Sequence, residues 1–96
     1  MIVSFGDPAT EALYHGAPDR RTRRFPHDIV KTSLRKLDML EAAVVLEDLR
    51  VPPGNRLETL KGELKGRHSI RVNDQWRIVF LWTPQGPADV RLIDYH

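Results

Sequence analysis

The sequence contains no cysteine, so disulfide bonds and thiolate chemistry are excluded for this chain. A zinc site would need histidine and carboxylate ligands alone, and the four histidines show no metal-ligand spacing. No apolar run approaches the roughly 20 residues that a membrane-spanning helix requires. Residues 1–7 lack the basic segment and long apolar stretch of a secretory signal. These absences predict a cytosolic protein without membrane association or a metal site.

What is present is enough for one small folded domain. Ninety-six residues with 41% hydrophobic content predict a single domain, residues 1–96, with a modest core. The net charge of +2 hides segregation along the chain. Residues 19–36 carry seven basic and two acidic side chains, residues 38–49 four acidic and no basic, and residues 50–79 seven basic and three acidic. Two basic blocks around an acidic one indicate a polyanion on one surface, although ordinary surfaces also show such unevenness.

The N-terminal third predicts one strand, one short helix and a connector. Ile2–Phe5 is strand-like, and a helix is expected from about Pro8 to His15 with Asp7 as its N-cap. Residues 17–26 contain two prolines and an arginine-rich run, which predicts a mobile connector. The run Arg20–Arg24 could bind RNA or an acidic protein, or could be a solvated loop.

The main helix is predicted to begin near Asp28. Its apolar residues recur at helical spacing and form one face: Val30, Leu34, Leu37, Leu40 and Val44. The charged residues of this segment, Lys36 among them, fall largely off that stripe.

The second half of the sequence is β-rich. A break at Pro52–Asn55 precedes a strand at His68–Val72 and a hairpin turn at Asn73–Gln75. In the next strand, period-two alternation places Arg77 opposite the face that is formed by Trp76, Ile78, Phe80 and Trp82. The two tryptophans could stack on bases, but this pattern favours the core. The order of elements predicts an α+β domain with an antiparallel sheet of about four strands, two helices on one face, and a partly open second face.

The last strand closes on three polar residues. Alternation puts Tyr95 on one face and both Asp94 and His96 on the other. His96 is the best acid–base candidate, since only imidazole has an unperturbed pKa near neutrality, and its own α-carboxylate would favour the protonated form. The alternative is a solvated histidine without a task. Asp94 could orient a neighbouring group or be a solvated strand end.

Arg77 is the strongest candidate for binding an anion. A mid-strand arginine costs burial unless it reaches solvent or meets an anion, and its guanidinium can bind a phosphate in a bidentate way. The alternative is a cross-strand salt bridge with Asp74 or Asp94. Glu58 lies three residues before Lys61 and could act as a general base, or be a surface ion-pair partner.

Several segments along the chain resemble a known family: Arg23–Pro26, Leu37–Leu40, Asp48–Leu57, Leu60–Gly62, Ser69–Ile78 and Asp94–His96. They are similar to the corresponding segments of HigB-type toxins of bacterial type II toxin–antitoxin systems, which belong to the RelE/ParE superfamily. The resemblance implies a compact microbial RNase-like fold. It also implies cleavage of mRNA in the A site of the 70S ribosome, without metal or cofactor, and inhibition of translation and growth.

The resemblance further implies a partner and a set of functional residues. The partner is a HigA-type helix-turn-helix antitoxin, through which alone the toxin would contact operator DNA. The implied catalytic residues are Lys61, Arg77, Asp94, Tyr95 and His96, and Glu58 or Lys61 is the candidate general base. The basic block 50–79 supplies the candidate RNA-binding residues Arg56, Lys65, Arg67 and Arg71. Glu58 stands where several relatives have a histidine, which leaves the general base open. Alternatives are a ParE-like gyrase poison and a catalytically weak protein that only binds its antitoxin.

Overall fold

A computed structural model describes residues 1–16 and 20–95. It contains two α-helices and four strands: α1 Pro8–Tyr14, α2 Val30–Ala42, β1 Glu58–Thr59, β2 His68–Arg71, β3 Trp76–Thr83 and β4 Gly86–Asp94. The strands form one antiparallel sheet in the order β1-β2-β3-β4. In the part of the chain that the structure describes, no helix has the length and apolar character needed to cross a membrane.

The core lies between the two helices and one face of the sheet, which confirms the predicted α+β architecture. Leu37 and Leu40 of α2 are fully buried in the same cluster as Ile78 and Phe80 of β3. Burial of apolar side chains on one face of each element is what holds these layers together. The tryptophans belong to this core as expected: Trp76 is buried, and Trp82 packs against the cluster.

One detail of the helix prediction was wrong. Helix α2 ends at Ala42, so Val44 does not continue the apolar stripe and is 83% exposed. Lys36, which falls off the stripe, is nevertheless buried, because its ammonium donates a hydrogen bond to the buried side chain of Asn55. Helical periodicity cannot predict this burial, since the partner comes from a distant loop.

The N-terminal segment differs from the predicted strand but confirms the predicted helix. Residues 1–7 form no strand of the sheet; Phe5 makes an isolated parallel bridge with Val90 of β4. Helix α1 begins as expected, with Asp7 accepting a 2.7 Å hydrogen bond from the backbone N–H of Thr10. This cap satisfies one of the helix's unpaired amide donors.

The arginine-rich connector is ordered where the structure describes it. Residues Arg20–Arg24 form a 3-10 helix, whereas a mobile connector was predicted; residues 17–19 lie outside the described residues. Arg24 forms an ion pair with Asp7 at 3.2 Å and lies 5.2 Å from the ring centroid of Phe25. These contacts tie the connector to the start of α1 and to the core.

The β2–β3 hairpin has the predicted turn. Asn73 accepts hydrogen bonds from the backbone N–H groups of Gln75 (2.8 Å) and Trp76 (2.7 Å), as asparagine commonly does in turns. The resulting register pairs Arg71 with Arg77. Because side chains alternate along a strand, both arginines lie on the face away from the helices.

We expect the substitution Thr10→Val to destabilise the fold by about 1–3 kcal/mol, since a buried donor then loses its acceptor. The buried hydroxyl of Thr10 accepts a 2.9 Å hydrogen bond from the backbone N–H of Leu92, and so fixes α1 on β4. Urea unfolding measures the loss. The matched control is Thr10→Ser, which keeps the hydroxyl and loses one methyl group, at a cost of about 1 kcal/mol. Equal losses for the two variants would contradict the role assigned to the hydroxyl.

Candidate active site on the second face of the sheet

The candidate site is centred on Arg77, on the sheet face opposite the helices. We call this the Arg77 face; its strand positions include Ser69, Arg77, Val79 and Ile93. Arg77 is 9% exposed, and its Nε donates a 2.7 Å hydrogen bond to Oγ of Ser69. Its Nη2 donates a 2.8 Å hydrogen bond to the backbone carbonyl of Arg56. The guanidinium is therefore held in place by two neutral acceptors.

A carboxylate and an aromatic ring lie beside this guanidinium. Glu58 pairs with Ser69 in the sheet, and its Oε2 lies 3.9 Å from Nη2 of Arg77. The side chain of Glu58 is 52% exposed, so one partner of this ion pair remains open to solvent. The ring centroid of Tyr95 lies 5.9 Å from Cζ of Arg77. The structure thus brings Glu58, Arg77 and Tyr95 together, as three of the predicted catalytic residues.

The cross-strand salt bridge considered for Arg77 does not involve the expected acids. Asp74 forms an ion pair with Arg71 instead. Asp94 accepts a 2.9 Å hydrogen bond from Nε2 of Gln75, and it pairs with Trp76 in the sheet, whose side chain is in the core. Among the described residues Arg77 forms its ion pair with Glu58, so the predicted partners were wrong.

The pairing of Arg71 with Arg77 concentrates positive charge on the Arg77 face. Like charges directly opposite each other on neighbouring strands repel and destabilise the sheet. Asp74 offsets Arg71, whereas Glu58 reaches Arg77 only at 3.9 Å. An anion bound at Arg77 would relieve this repulsion, which favours a phosphate-binding role.

The remaining basic candidates divide into exposed and paired side chains. Arg56, Lys61 and Lys65 are exposed in the loops around β1. Arg67 is partly buried and forms an ion pair with Asp89 at 3.0 Å, so its charge is already engaged. As contacts for RNA, the exposed side chains remain the better predictions.

Tyr95 and Asp94 lie on opposite sides of the strand, as the alternation predicts. Tyr95 continues β4 with a 2.7 Å hydrogen bond from its backbone N–H to the carbonyl of Gln75, and its ring approaches Arg77. Asp94 lies on the opposite side of the strand, so the structure does not bring it to the guanidinium. His96, predicted as the general acid, lies outside the described residues.

Sequence reasoning missed Ser69, the fully buried hydroxyl that accepts the Nε–H of Arg77. A signal for it was available. A turn centred on Asp74 pairs Arg71 with Arg77, and alternation then places Ser69 on the same face. Strand β1 has only two residues and no periodic pattern, so the approach of Glu58 to this face had no comparable signal.

The arrangement is suited to chemistry at a phosphate group. A buried, oriented guanidinium can stabilise the charge that develops on a reacting phosphate. A carboxylate beside it can accept a proton from a hydroxyl next to that phosphate. Exposed lysine and arginine side chains around β1 can hold the flanking phosphates of a nucleic acid.

Comparison with known proteins identifies the family of the chain. The model of a family described as "RelE-like toxin of type II toxin-antitoxin system HigB" matches residues 4–96. The chain is 48% identical over 96 residues to Toxin HigB-1 of Vibrio cholerae, covering all of this chain and 98% of that protein. It is 42% identical over 57 residues to an uncharacterised protein of Haemophilus influenzae, covering 59% of this chain and 56% of that one.

A solved structure shares the fold. A chain of the YoeB–YefM complex from Staphylococcus aureus matches with a TM-score of 0.59 and 18% identity, covering 100% of this chain and 98% of that chain. At this identity the likeness establishes the fold alone.

Proposed function

The chain belongs to the HigB-like family of RelE-like toxins from type II toxin–antitoxin systems, and we propose that it is an endoribonuclease that cleaves mRNA in the A site of the ribosome. Cleavage there would stop translation and inhibit growth from within the cytoplasm. The observation that supports this proposal best is the Arg77 guanidinium, buried yet oriented, with the Glu58 carboxylate 3.9 Å away.

The proposed reaction is an internal transfer at one phosphodiester. The ribose 2′-OH, which RNA has and DNA lacks, loses its proton to Glu58, and its oxygen attacks the adjacent phosphorus. The bond from phosphorus to the 5′-oxygen breaks, and His96 supplies the proton that this oxygen takes up. The products are a 2′,3′-cyclic phosphate and a 5′-hydroxyl end. Glu58 is favoured as the base because it is the carboxylate that approaches Arg77.

The cationic groups have a separate task in this reaction. Arg77 would stabilise the negative charge that grows on the phosphate oxygens, because its guanidinium is already placed when the substrate arrives. Lys61, exposed just after β1, would add charge at the same phosphate. Tyr95, whose ring lies 5.9 Å from Cζ of Arg77, would pack against the nucleotide or the guanidinium. Asp94 would orient a neighbouring group of the site.

The ribosome is part of the proposal because the candidate RNA contacts are exposed side chains in the loops around β1. RNA held by exposed side chains such as Arg56 and Lys65 is not forced into the in-line geometry that the attack needs. An mRNA fixed in the A site already has a restricted conformation, which supplies much of the rate. Free RNA should therefore be a poor substrate.

The proposed partner is a helix-turn-helix antitoxin of the HigA type. Family membership supports an antitoxin, and the solved relative of the same fold is a complex of YoeB with YefM. Contact with operator DNA would occur only through the antitoxin. Neutralisation follows if the antitoxin covers the Arg77 face or holds the toxin away from the ribosome.

A single-atom change in the substrate tests the proposal. Purified toxin, freed of antitoxin, is added to ribosomes programmed with an mRNA of defined A-site codon, and primer extension locates the cut. We expect one cut in the A site, a product with a cyclic phosphate, and no cut when the attacking nucleotide carries a 2′-deoxyribose. The same mRNA without ribosomes is the control.

Two other outcomes would reject the nuclease. Intact mRNA together with gyrase-dependent cleavage of supercoiled DNA would favour a ParE-like gyrase poison. Intact mRNA and undisturbed growth on expression without antitoxin would favour a catalytically weak protein that retains only its antitoxin partner. Cleavage that persists with the 2′-deoxy substrate would rule out attack by the 2′-oxygen.

A further inference from the structure

We infer that Ser69 and the backbone carbonyl of Arg56 are positioning groups that fix the orientation of Arg77 before substrate binds. The expected effect on the cleavage rate rests on the proposed function. The orientation of Arg77 is a property of the protein without RNA. It assigns a task to Ser69, which carries no charge and was not predicted from the sequence. It also assigns a task to the main chain of Arg56 that differs from the RNA contact predicted for its side chain.

The two hydrogen bonds of Arg77 occupy one edge of its guanidinium. Nε and Nη2 form one edge of this planar group, and both donate to the protein: Nε to Ser69 at 2.7 Å and Nη2 to Arg56 at 2.8 Å. A guanidinium has five N–H donors, so three have no hydrogen bond to the described residues, both on Nη1 and one on Nη2. The Nη1–Nη2 edge is the one that can form two parallel hydrogen bonds to a phosphate. The two internal bonds thus decide which edge meets the substrate.

Ser69 is built for this single contact. Its side chain is fully buried on the Arg77 face, between Glu58 of β1 and Val79 of β3 in the sheet register. A buried hydroxyl costs free energy unless it is hydrogen-bonded. Its bond with Nε of Arg77 both meets that need and removes the rotation of the guanidinium about its long side chain.

The Arg56 carbonyl is aimed by an unusual backbone conformation. Arg56 has φ 46° and ψ 56°, in the left-handed region that residues other than glycine rarely adopt. Such conformations persist where the surrounding structure enforces them, and they concentrate at functional sites. Here the preceding residue, Asn55, is fully buried and hydrogen-bonded, which holds the chain at this point. The main chain of Arg56 then presents its oxygen to Nη2.

Ser69→Ala tests the inference through a double-mutant cycle. We expect this substitution to lower kcat for A-site cleavage by about 10- to 100-fold, since a small misplacement of a catalytic group has effects of this size, while KM changes little. Ser69→Thr, which keeps the hydroxyl, should recover most of the rate. In an Arg77→Ala background Ser69→Ala should cost nothing further, because the group that it positions is absent. An equal loss in both backgrounds would show a general structural role and overturn the inference.

A measurement without RNA separates the inference from the proposed function. In the full chain labelled with nitrogen-15, the Nε–H of Arg77 should exchange slowly with water, and Ser69→Ala should make it exchange rapidly. Arg56→Gly removes the side chain but keeps a residue at ease with positive φ, so slow exchange should persist. Slow exchange in a protein that cleaves no mRNA would support the positioning and reject the nuclease. Rapid exchange in the unmodified protein would overturn the positioning, whatever the activity.

Discussion

We expect the substitution Arg77→Ala to lower the single-turnover rate of A-site cleavage by about 10²- to 10³-fold, the size of effect seen when one preorganised donor to a developing charge is removed. The reason lies in how the residue is held. A guanidinium that is 9% exposed and bound by Ser69 and the Arg56 carbonyl does not need to reorganise when charge appears on the phosphate. The cleavage rate on programmed ribosomes, at saturating toxin, is the measurement.

The control must separate loss of this group from loss of one positive charge. Arg50→Ala provides it: Arg50 is an exposed arginine whose ion pair is with Glu47, in the segment after α2. The two variants have the same net charge, so long-range attraction to the ribosome falls equally. We expect Arg50→Ala to cleave at nearly the original rate. Similar losses for both variants would mean that Arg77 contributes only to overall charge.

The stability of the Arg77→Ala protein also has to be measured, because the residue is nearly buried. Removing it leaves the Ser69 hydroxyl and the Arg56 carbonyl without their partner, at a cost of about 1–3 kcal/mol. Urea unfolding and antitoxin binding should therefore show a weakened but folded chain. A variant that is folded, binds antitoxin and still cleaves at the original rate would remove Arg77 from the mechanism.

The elements of this fold that can be predicted are those in which apolar residues recur at the period of a strand or a helix. Alternation in β3 places Trp76 in the core and Arg77 on the other face, and the turn at Asn73 forms as expected. The spacing in α2 predicts the burial of Leu37 and Leu40. These patterns suffice because apolar burial on one face fixes the register of an element.

The features that could not be predicted are contacts made by short segments whose residues follow no helical or strand period. Glu58 reaches Arg77 from a two-residue strand, and the Arg56 carbonyl comes from a left-handed turn. The buried ammonium of Lys36 finds its partner in the side chain of Asn55, from the loop before β1. Long-range polar contacts of this kind depend on the whole tertiary structure, so a local sequence pattern cannot predict them. The resemblance to a toxin family named Arg77 and Tyr95, but it could not supply these distances.

A second large effect is expected at the buried polar network around Asn55. Asn55→Ala should lower the free energy of unfolding by about 3–5 kcal/mol, because it leaves a buried ammonium group without its partner. Lys36 is 6% exposed and donates to Oδ1 of Asn55, while Nδ2 donates to the carbonyls of Leu49 (3.1 Å) and Val51 (3.4 Å). Urea unfolding at pH 7 measures the change.

The loss of unfolding free energy on Asn55→Ala should depend on pH, because the pKa of Lys36 is lowered in the folded chain. Burial lowers the pKa of the Lys36 ammonium, and the positive charges of Arg35 and Arg71 lower it further. Between this folded pKa and the ordinary value of 10.5, the unfolded chain binds more protons, so this group's contribution raises stability as pH rises. Without Asn55 the folded pKa falls further. The destabilisation by Asn55→Ala should therefore be largest near neutral pH and shrink towards pH 10.

Lys36→Met distinguishes a buried charge from a simple packing defect. In the Lys36→Met chain no ammonium remains at this position, so Asn55→Ala should cost less than in the original chain, and its pH dependence should disappear. The carbonyls of Leu49 and Val51 still lose their donor, so some cost remains. The same loss at every pH, with and without Lys36, would show that the ammonium is irrelevant. Because Asn55 directly precedes Arg56, the weakened variant should also loosen the carbonyl that holds Arg77, and its cleavage rate should fall even where it is fully folded.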